Sequence, residues 1–309
     1  MKLTSILAIL AVTAGCAGAM RGPDTCADIH FDTTYMLARW AGWSEREATA
    51  ISAADFWTDK HGETNSVATE WRLLGGVVNP VTIPWVFCFG VGDMIVVGES
   101  PGRAFGRRIA ESTAWAVPSL GHRLHFPARD RSLPVAPAFF VNSETGEIEY
   151  GNAEARRVLG WAFLELQAHE EDRDAVLALL GIGLHTLQDS YKHCGYTALR
   201  GHIGAQPDPD HPCCNLETTL ACAEVTLKSL RYARRLASGR SSAPPAGWKE
   251  ALRQHYSRPT PNAQNWAAFV RSQLGDEVPD RDGLVERWRQ SGGEEAFDRS
   301  LERVRDALR

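Results

Sequence analysis

The chain has 309 residues, 44% of them hydrophobic, with 33 Lys and Arg against 38 Asp and Glu and a formal net charge of −5. That length suffices for one large domain with a substantial core, and the composition is ordinary for a globular protein. The acidic balance leaves no basic footprint for duplex nucleic acid.

In chain order, MKLTSILAILAVTAGCAGA comes first. A single Lys2, an apolar run over 6–12 and a small-residue exit read as a secretory leader, too short to span a membrane as a mature helix. Two cleavage readings stand. Thr13-Ala14-Gly15-Cys16 resembles a bacterial lipobox with Cys16 lipidated, which is the favoured reading, and Ala17-Gly18-Ala19 fits the ordinary A-x-A rule. The expectation is a leader over 1–19 and an exported protein. It is anchored by acyl chains as an envelope lipoprotein, in the periplasm or at the outer membrane, or else secreted. With Cys16 set aside, Cys26, Cys88, Cys194, Cys213, Cys214 and Cys222 form an even six. Such a number suits disulfides in an oxidising compartment, with fifteen pairings open.

Asp28 and His30 stand at the mouth of a first helix read over 33–42, and Asp55 and Asp59 lie at i, i+4 on a second over 44–58. One of these two carboxylates can point at a metal while the other caps or solvates. Residues 73–92 are uncharged, but four glycines, two prolines and Asn79 argue against a spanning helix. An irregular insert or an apolar rim around a cleft, with Trp85, Phe87 and Phe89 meeting acyl groups, fits better. A helix is read over 104–114, and His122 and His125 precede a proline turn. Residues 139–150 alternate and break at Thr145-Gly146, as a small hairpin does. Helices follow over 153–169, 172–196 and 216–237. A Ser, Pro and Gly stretch over 238–247 reads as a flexible connector to a C-terminal helical extension over 248–255, 262–274 and 294–308, placed on the outside. His61, His169 and His255 read as surface residues. The fold expected is all-α: one multi-helix domain over 20–309 built around a metal-binding central helix, with one small β-hairpin allowed.

The central helix carries GIGLHTLQDSYKHCGY, which sets His185, Asp189 and His193 four residues apart. At about 100° per residue all three share one face. A rise of about 1.5 Å per residue separates the two histidines by about 12 Å, too far for one ion. Asp189, between them, can serve two ions, as bridging carboxylates do in two-metal sites. Beyond it, RGHIGAQPDPDHP offers His202, Asp208, Asp210 and His211 in a loop.

In this order the motifs DIHFDTTYMLARWAGWS, AADFWTD, LHFP, LLGIGLHTLQDSYKH and GHIGAQPDPD resemble the zinc-dependent phospholipase C and single-strand-specific zinc nuclease superfamily, in particular a bacterial branch of it. They cover 28 to about 232. The resemblance implies an all-helical fold with two or three zinc ions. His185 and Asp189 would bind one with His125 and an aspartate from Asp55 or Asp59. Asp189 would bridge to a second near His30, and His193 with His202 would hold a third. The sequence departs twice. The N-terminal tryptophan whose amino group completes a site in the phospholipases has no counterpart after either cleavage point, and Asp28 stands in its place. His202 also lacks the glutamate at i+4, leaving Asp208 or Asp210 for that role.

The chemistry then expected is metal-assisted phosphodiester hydrolysis, with phospholipid among the substrates. Whichever of Asp55 and Asp59 is free of metal would orient the water or take its proton. No GxSxG and no P-loop accompany these motifs. The alternative function is a non-catalytic, metal-stabilised envelope lipoprotein that binds a partner or ligand, with every coordination position closed.

Overall fold

A computed structural model of the chain describes residues 29–61, 63–64, 120–125, 140–141, 148–149, 153–168, 171–192, 216–257, 263–275 and 281–308. The leader with Cys16, Asp28, the apolar run 73–92, the helix read over 104–114, His169, His193, His202, Asp208, Asp210 and His211 lie outside these residues. The described protein is all-α. A π-helical turn, Ile29–Thr33, runs into α1 (Thr34–Ala41), followed by α2 (Glu45–Thr58) and the short α3 (Leu120–His125). After a two-residue strand pair come α4 (Ala153–Gln167), α5 (Arg173–Lys192), α6 (Leu216–Ser238) and α7 (Trp248–Tyr256). The chain closes with α8 (Ala263–Leu274), α9 (Arg281–Gln290) and α10 (Gly293–Leu308). The strands are β1 (Phe140–Val141) and β2 (Ile148–Glu149), antiparallel with Phe140 opposite Glu149, which is the small hairpin the alternation predicts.

Helix α5 is the axis. Every residue from Ala175 to Asp189 is buried, because α2, α3, α4, α6 and α10 all pack on it. A helix apolar all round belongs inside, and here the interior also receives His185 and Asp189. Helix α2 opens with a capping box in which the Ser44 hydroxyl accepts from the Glu47 amide and the Glu47 carboxylate accepts from the Ser44 amide. Ala48, Ala50, Ala53 and Ala54 then keep its buried faces thin. Helix α1 stops at Gly42, whose φ of 96° is left-handed; a Cβ there would also sit 2.8 Å from the Ser242 hydroxyl. That contact shows where the 238–247 stretch goes. It has no regular structure over 239–245, but the Ser242 amide donates to the Ala41 carbonyl at 3.0 Å and holds it against the end of α1.

The C-terminal helices contribute to the core. Phe297, Leu301, Val304 and Leu308 of α10 are buried, and the Ser300 hydroxyl donates to the Ala175 carbonyl of α5 at 2.6 Å. The charged surface of α10 does face outward, where Arg299 pairs with Asp172. His255, read as a surface residue, is only 1% exposed: α7 presents Leu252, His255 and Tyr256 on one face, and Phe269 stacks on the imidazole at 4.5 Å. Helices α3 and α9 have no counterpart among the helices read from the sequence. Cys222 is a free, buried thiol, so it does not join the even set of disulfides; the other cysteines lie outside the described residues. Among the described residues no helix is long and apolar enough to cross a membrane.

Candidate metal centre

Four elements converge near the C-terminal half of α5. The π-turn brings His30, α2 brings Asp55 and its C-cap residue Asp59, α3 ends on His125, and α5 supplies His185 and Asp189. A π-turn inserts an extra residue per turn and is frequent at functional sites; here its five residues are all buried. Five of the six side chains are at most 3% exposed, and Asp59, at 27%, is the edge that meets solvent.

Hydrogen bonds determine which ring nitrogen of each histidine is available. A carbonyl oxygen only accepts, so the His125 Nε2–H donates to the Thr64 carbonyl and His125 Nδ1 keeps its lone pair. The His185 Nδ1–H donates to the Asp55 carbonyl at 2.9 Å and lies 3.2 Å from Asp55 Oδ1, leaving Nε2 open. The His30 Nδ1–H donates to Gln188 Oε1 at 2.8 Å and to Asp55 Oδ1 at 3.1 Å, again leaving Nε2 open.

The open nitrogens face one another and the carboxylates. His125 Nδ1 lies 2.8 Å from Asp189 Oδ2 and 3.0 Å from His185 Nε2; His185 Nε2 is 3.2 Å from Asp189 Oδ2. Asp59 Oδ1 is 3.7 Å from the first nitrogen and 3.8 Å from the second. Four lone-pair donors converging in a dry interior repel one another unless a cation or protons stand between them. Tetrahedral coordination at bonds of about 2.0–2.1 Å places ligand atoms about 3.3 Å apart, and these separations straddle that value. His30 Nε2 faces the other oxygens of the same two carboxylates, 3.4 Å from Asp189 Oδ1 and 4.0 Å from Asp59 Oδ2. The residues therefore fit a metal ion. Two ligand trios can be drawn among the described residues, Asp59 with His125 and His185, and His30 with Asp55 and His185. His185 stacks on His30 at 4.1 Å and meets His125 edge-on at 4.6 Å.

Without a cation, protons take the open positions. Burial works against charge on His30, yet its hydrogen bonds to Asp189 and Asp55 overcome it and hold its pKa well above the ordinary value. Burial and the neighbouring His30 oppose charge on His185, but Asp189 and Asp59 outweigh them and raise it to about 10.

The structure thus brings together six of the residues singled out in the sequence. The sequence reading missed three others. Gln188 and Thr34 bind each other, Gln188 Nε2 donating to Thr34 Oγ1 at 2.7 Å, and the Thr34 hydroxyl donates to Asp55 Oδ2 at 2.9 Å. Thr64 acts through its backbone carbonyl, for which sequence carries no signal. Thr34 stands four residues after His30 and Gln188 three after His185, so same-face spacing was the available clue. No protein-family model matches the chain, and neither the curated proteins nor the solved structures give a match.

Proposed function

We propose that the protein is a zinc-dependent phosphodiester hydrolase of the envelope, phospholipase C-like, with two ions among the residues described above. The observation that carries this reading is the division of two carboxylates between two sets of nitrogens. Asp59 and Asp189 each offer one oxygen towards His125 and His185 and the other towards His30. Shared carboxylates of this kind suit ions about 3.5–4 Å apart. Nitrogen and carboxylate donors in tetrahedral spacing suit zinc. The sequence resemblance points the same way and supplies His193 and His202, with Asp208 or Asp210, as holders of a third ion.

Zinc bound there would polarise a phosphodiester oxygen and acidify a water towards neutrality. The N–H donations to the Thr64 carbonyl, the Asp55 carbonyl and Gln188 would turn the other ring nitrogen of His125, His185 and His30 towards the ions. Asp59, partly exposed and farthest from its nitrogens, would orient the attacking water and receive its proton. Water oxygen bonds to phosphorus, the ester P–O bond breaks, and the proton passes to the departing alkoxide, giving an alcohol and a phosphomonoester. The leader and lipobox supply the reading of export, and the apolar run over 73–92 that of an acyl-chain rim.

Burial of five of the six side chains favours a second reading, a closed metal site that stabilises a partner-binding lipoprotein. The test is metal content by plasma mass spectrometry, with hydrolysis of bis(p-nitrophenyl) phosphate and phosphatidylcholine, for wild type, His185→Ala and Asp189→Ala. Two or three zinc ions lost in both variants together with hydrolysis support the enzyme. Bound zinc with no turnover of any phosphodiester supports the closed site, and no zinc after reconstitution removes both readings.

A further inference from the structure

Asp55 is the cluster residue for which zinc hydrolysis has no evident use. It is fully buried, and every contact to its carboxylate comes from a donor: His30 and His185 N–H groups reach Oδ1, and the Thr34 hydroxyl reaches Oδ2. Two donors fill Oδ1 and a third engages Oδ2, so three of the roughly four acceptor positions of the carboxylate are spent on orienting neighbours.

We propose that Asp55 is a positioning residue that fixes the tautomers of His30 and His185 together, so that both present Nε2 to Asp59 and Asp189. Hydrogen-bond polarity carries this assignment, which rests on the zinc reading above. An ionised carboxylate only accepts. The Thr34 hydroxyl proton therefore goes to Asp55 Oδ2, the closer and charged acceptor, in preference to the Ile29 carbonyl at 3.2 Å. The Thr34 oxygen, having spent its proton, accepts from the Gln188 amide NH2. That orientation turns Gln188 Oε1 towards His30, where it accepts from Nδ1–H, the same proton that Asp55 Oδ1 receives directly. Along both arms of the ring His30, Gln188, Thr34, Asp55, donation starts at the His30 Nδ1–H and ends at Asp55, the one member that cannot donate. His185 is fixed by the same residue through both its carbonyl and its carboxylate. Three elements, the π-turn with α1, α2 and α5, are thereby locked to a single pair of tautomers. The trio of His30, Asp55 and His185 is on this account an orienting set, not a second cation site.

The test compares zinc-loaded wild type with Asp55→Asn, Thr34→Val and Asp59→Asn. Zinc stoichiometry, affinity by chelator competition, the absorption spectrum of the cobalt(II) form and histidine 15N tautomers by NMR are the readouts. The amide of Asp55→Asn can donate as well as accept, so the ring loses its imposed direction. We expect that variant to keep wild-type stoichiometry and a four-coordinate cobalt spectrum, with zinc bound about 10–100-fold more weakly, the usual cost of removing an outer orienting partner. Nδ1–H of His30 and His185 should no longer be the sole tautomer. Thr34→Val, isosteric and leaving the carboxylate in place, should weaken zinc binding less and disturb His30 before His185. Asp59→Asn should instead change the cobalt spectrum. Loss of an ion or of a coordination position in Asp55→Asn makes Asp55 a ligand and overturns the proposal alone. Unchanged affinity and tautomers in both Asp55→Asn and Thr34→Val overturn it as well. A wild type that binds no zinc overturns the parent reading, and this one with it.

Discussion

Gly181, one turn before His185, lies against the backbone of Asp55: a Cβ on it would sit 2.9 Å from the Asp55 amide nitrogen and 2.4 Å from the Ile51 carbonyl oxygen. Glycine costs a helix interior about 1 kcal/mol relative to alanine, and α5 accepts that cost for a close approach to α2. The approach is what lets the His185 imidazole reach the Asp55 carbonyl.

Gly181→Ala should therefore destabilise the fold in spite of the better helix former. The obstructing atoms are backbone, so the helices must separate, and overpacking of this kind costs about 1–3 kcal/mol. Urea unfolding checks the sign: a midpoint at or above wild type would contradict the close approach. Zinc affinity should fall in parallel, since α2 carries both Asp55 and Asp59.

The cation-free protein should lose stability as pH rises. His30 and His185 have folded-state pKa values above the ordinary 6.5, the latter about 10. The folded state thus holds these protons more tightly than the unfolded chain does. Their contribution is complete below about pH 6.5 and is lost as pH climbs through the folded values. Unfolding midpoints of chelator-treated protein at pH 6, 8 and 10 should decrease in that order. Zinc bound at the site would replace the same protons, so its affinity should rise over the same range and its uptake should release protons.

The fold was legible wherever apolar spacing was regular. Helices α1, α2, α4, α6, α7, α8 and α10 begin and end close to the positions read from caps and periodicity, and the strand pair falls where Thr145-Gly146 breaks the alternation. Helix α9 was not legible because RDGLVERWRQ buries only Leu284, Val285 and Trp288 among charges and carries a glycine. His255 was misread for its polar sequence neighbours, Gln254 and Ser257, although Leu252, His255 and Tyr256 share a face. In the site, the same-face rule on α5 found His185 and Asp189, while Gln188 passed unnoticed as an amide. The choice between Asp55 and Asp59 could not be made by spacing, since i, i+4 places both on one face. Only the depth at which each meets other chain segments separates them, one wholly enclosed and the other 27% exposed.

Phe297→Ala tests whether α10 belongs to the core. The ring is fully buried, with the His61 imidazole 5.3 Å away, and truncation of such a side chain costs about 3–5 kcal/mol. A loss below about 1 kcal/mol by urea unfolding would mark α10 as a peripheral addition.

Cys222 should resist alkylation in the native state. Burial pushes its thiol up to about 12, so almost no thiolate exists at neutral pH, and no reagent reaches it without opening α6. Peptide mapping after iodoacetamide should find Cys222 unmodified in native protein and modified after denaturation. Native labelling, or a disulfide at this position, would contradict its enclosure.

Because Asp59 is the only appreciably exposed member of the cluster among the described residues, ions would arrive and depart past that one carboxylate. Their exchange is then governed by how often the protein opens there, whatever the equilibrium affinity. Demetallation by a strong chelator should run at a rate that saturates with chelator concentration, and Asp59→Ala should raise the plateau. A site of this kind keeps its cargo by slowness, so it would hold zinc through a transient shortage that empties an exposed site of equal affinity.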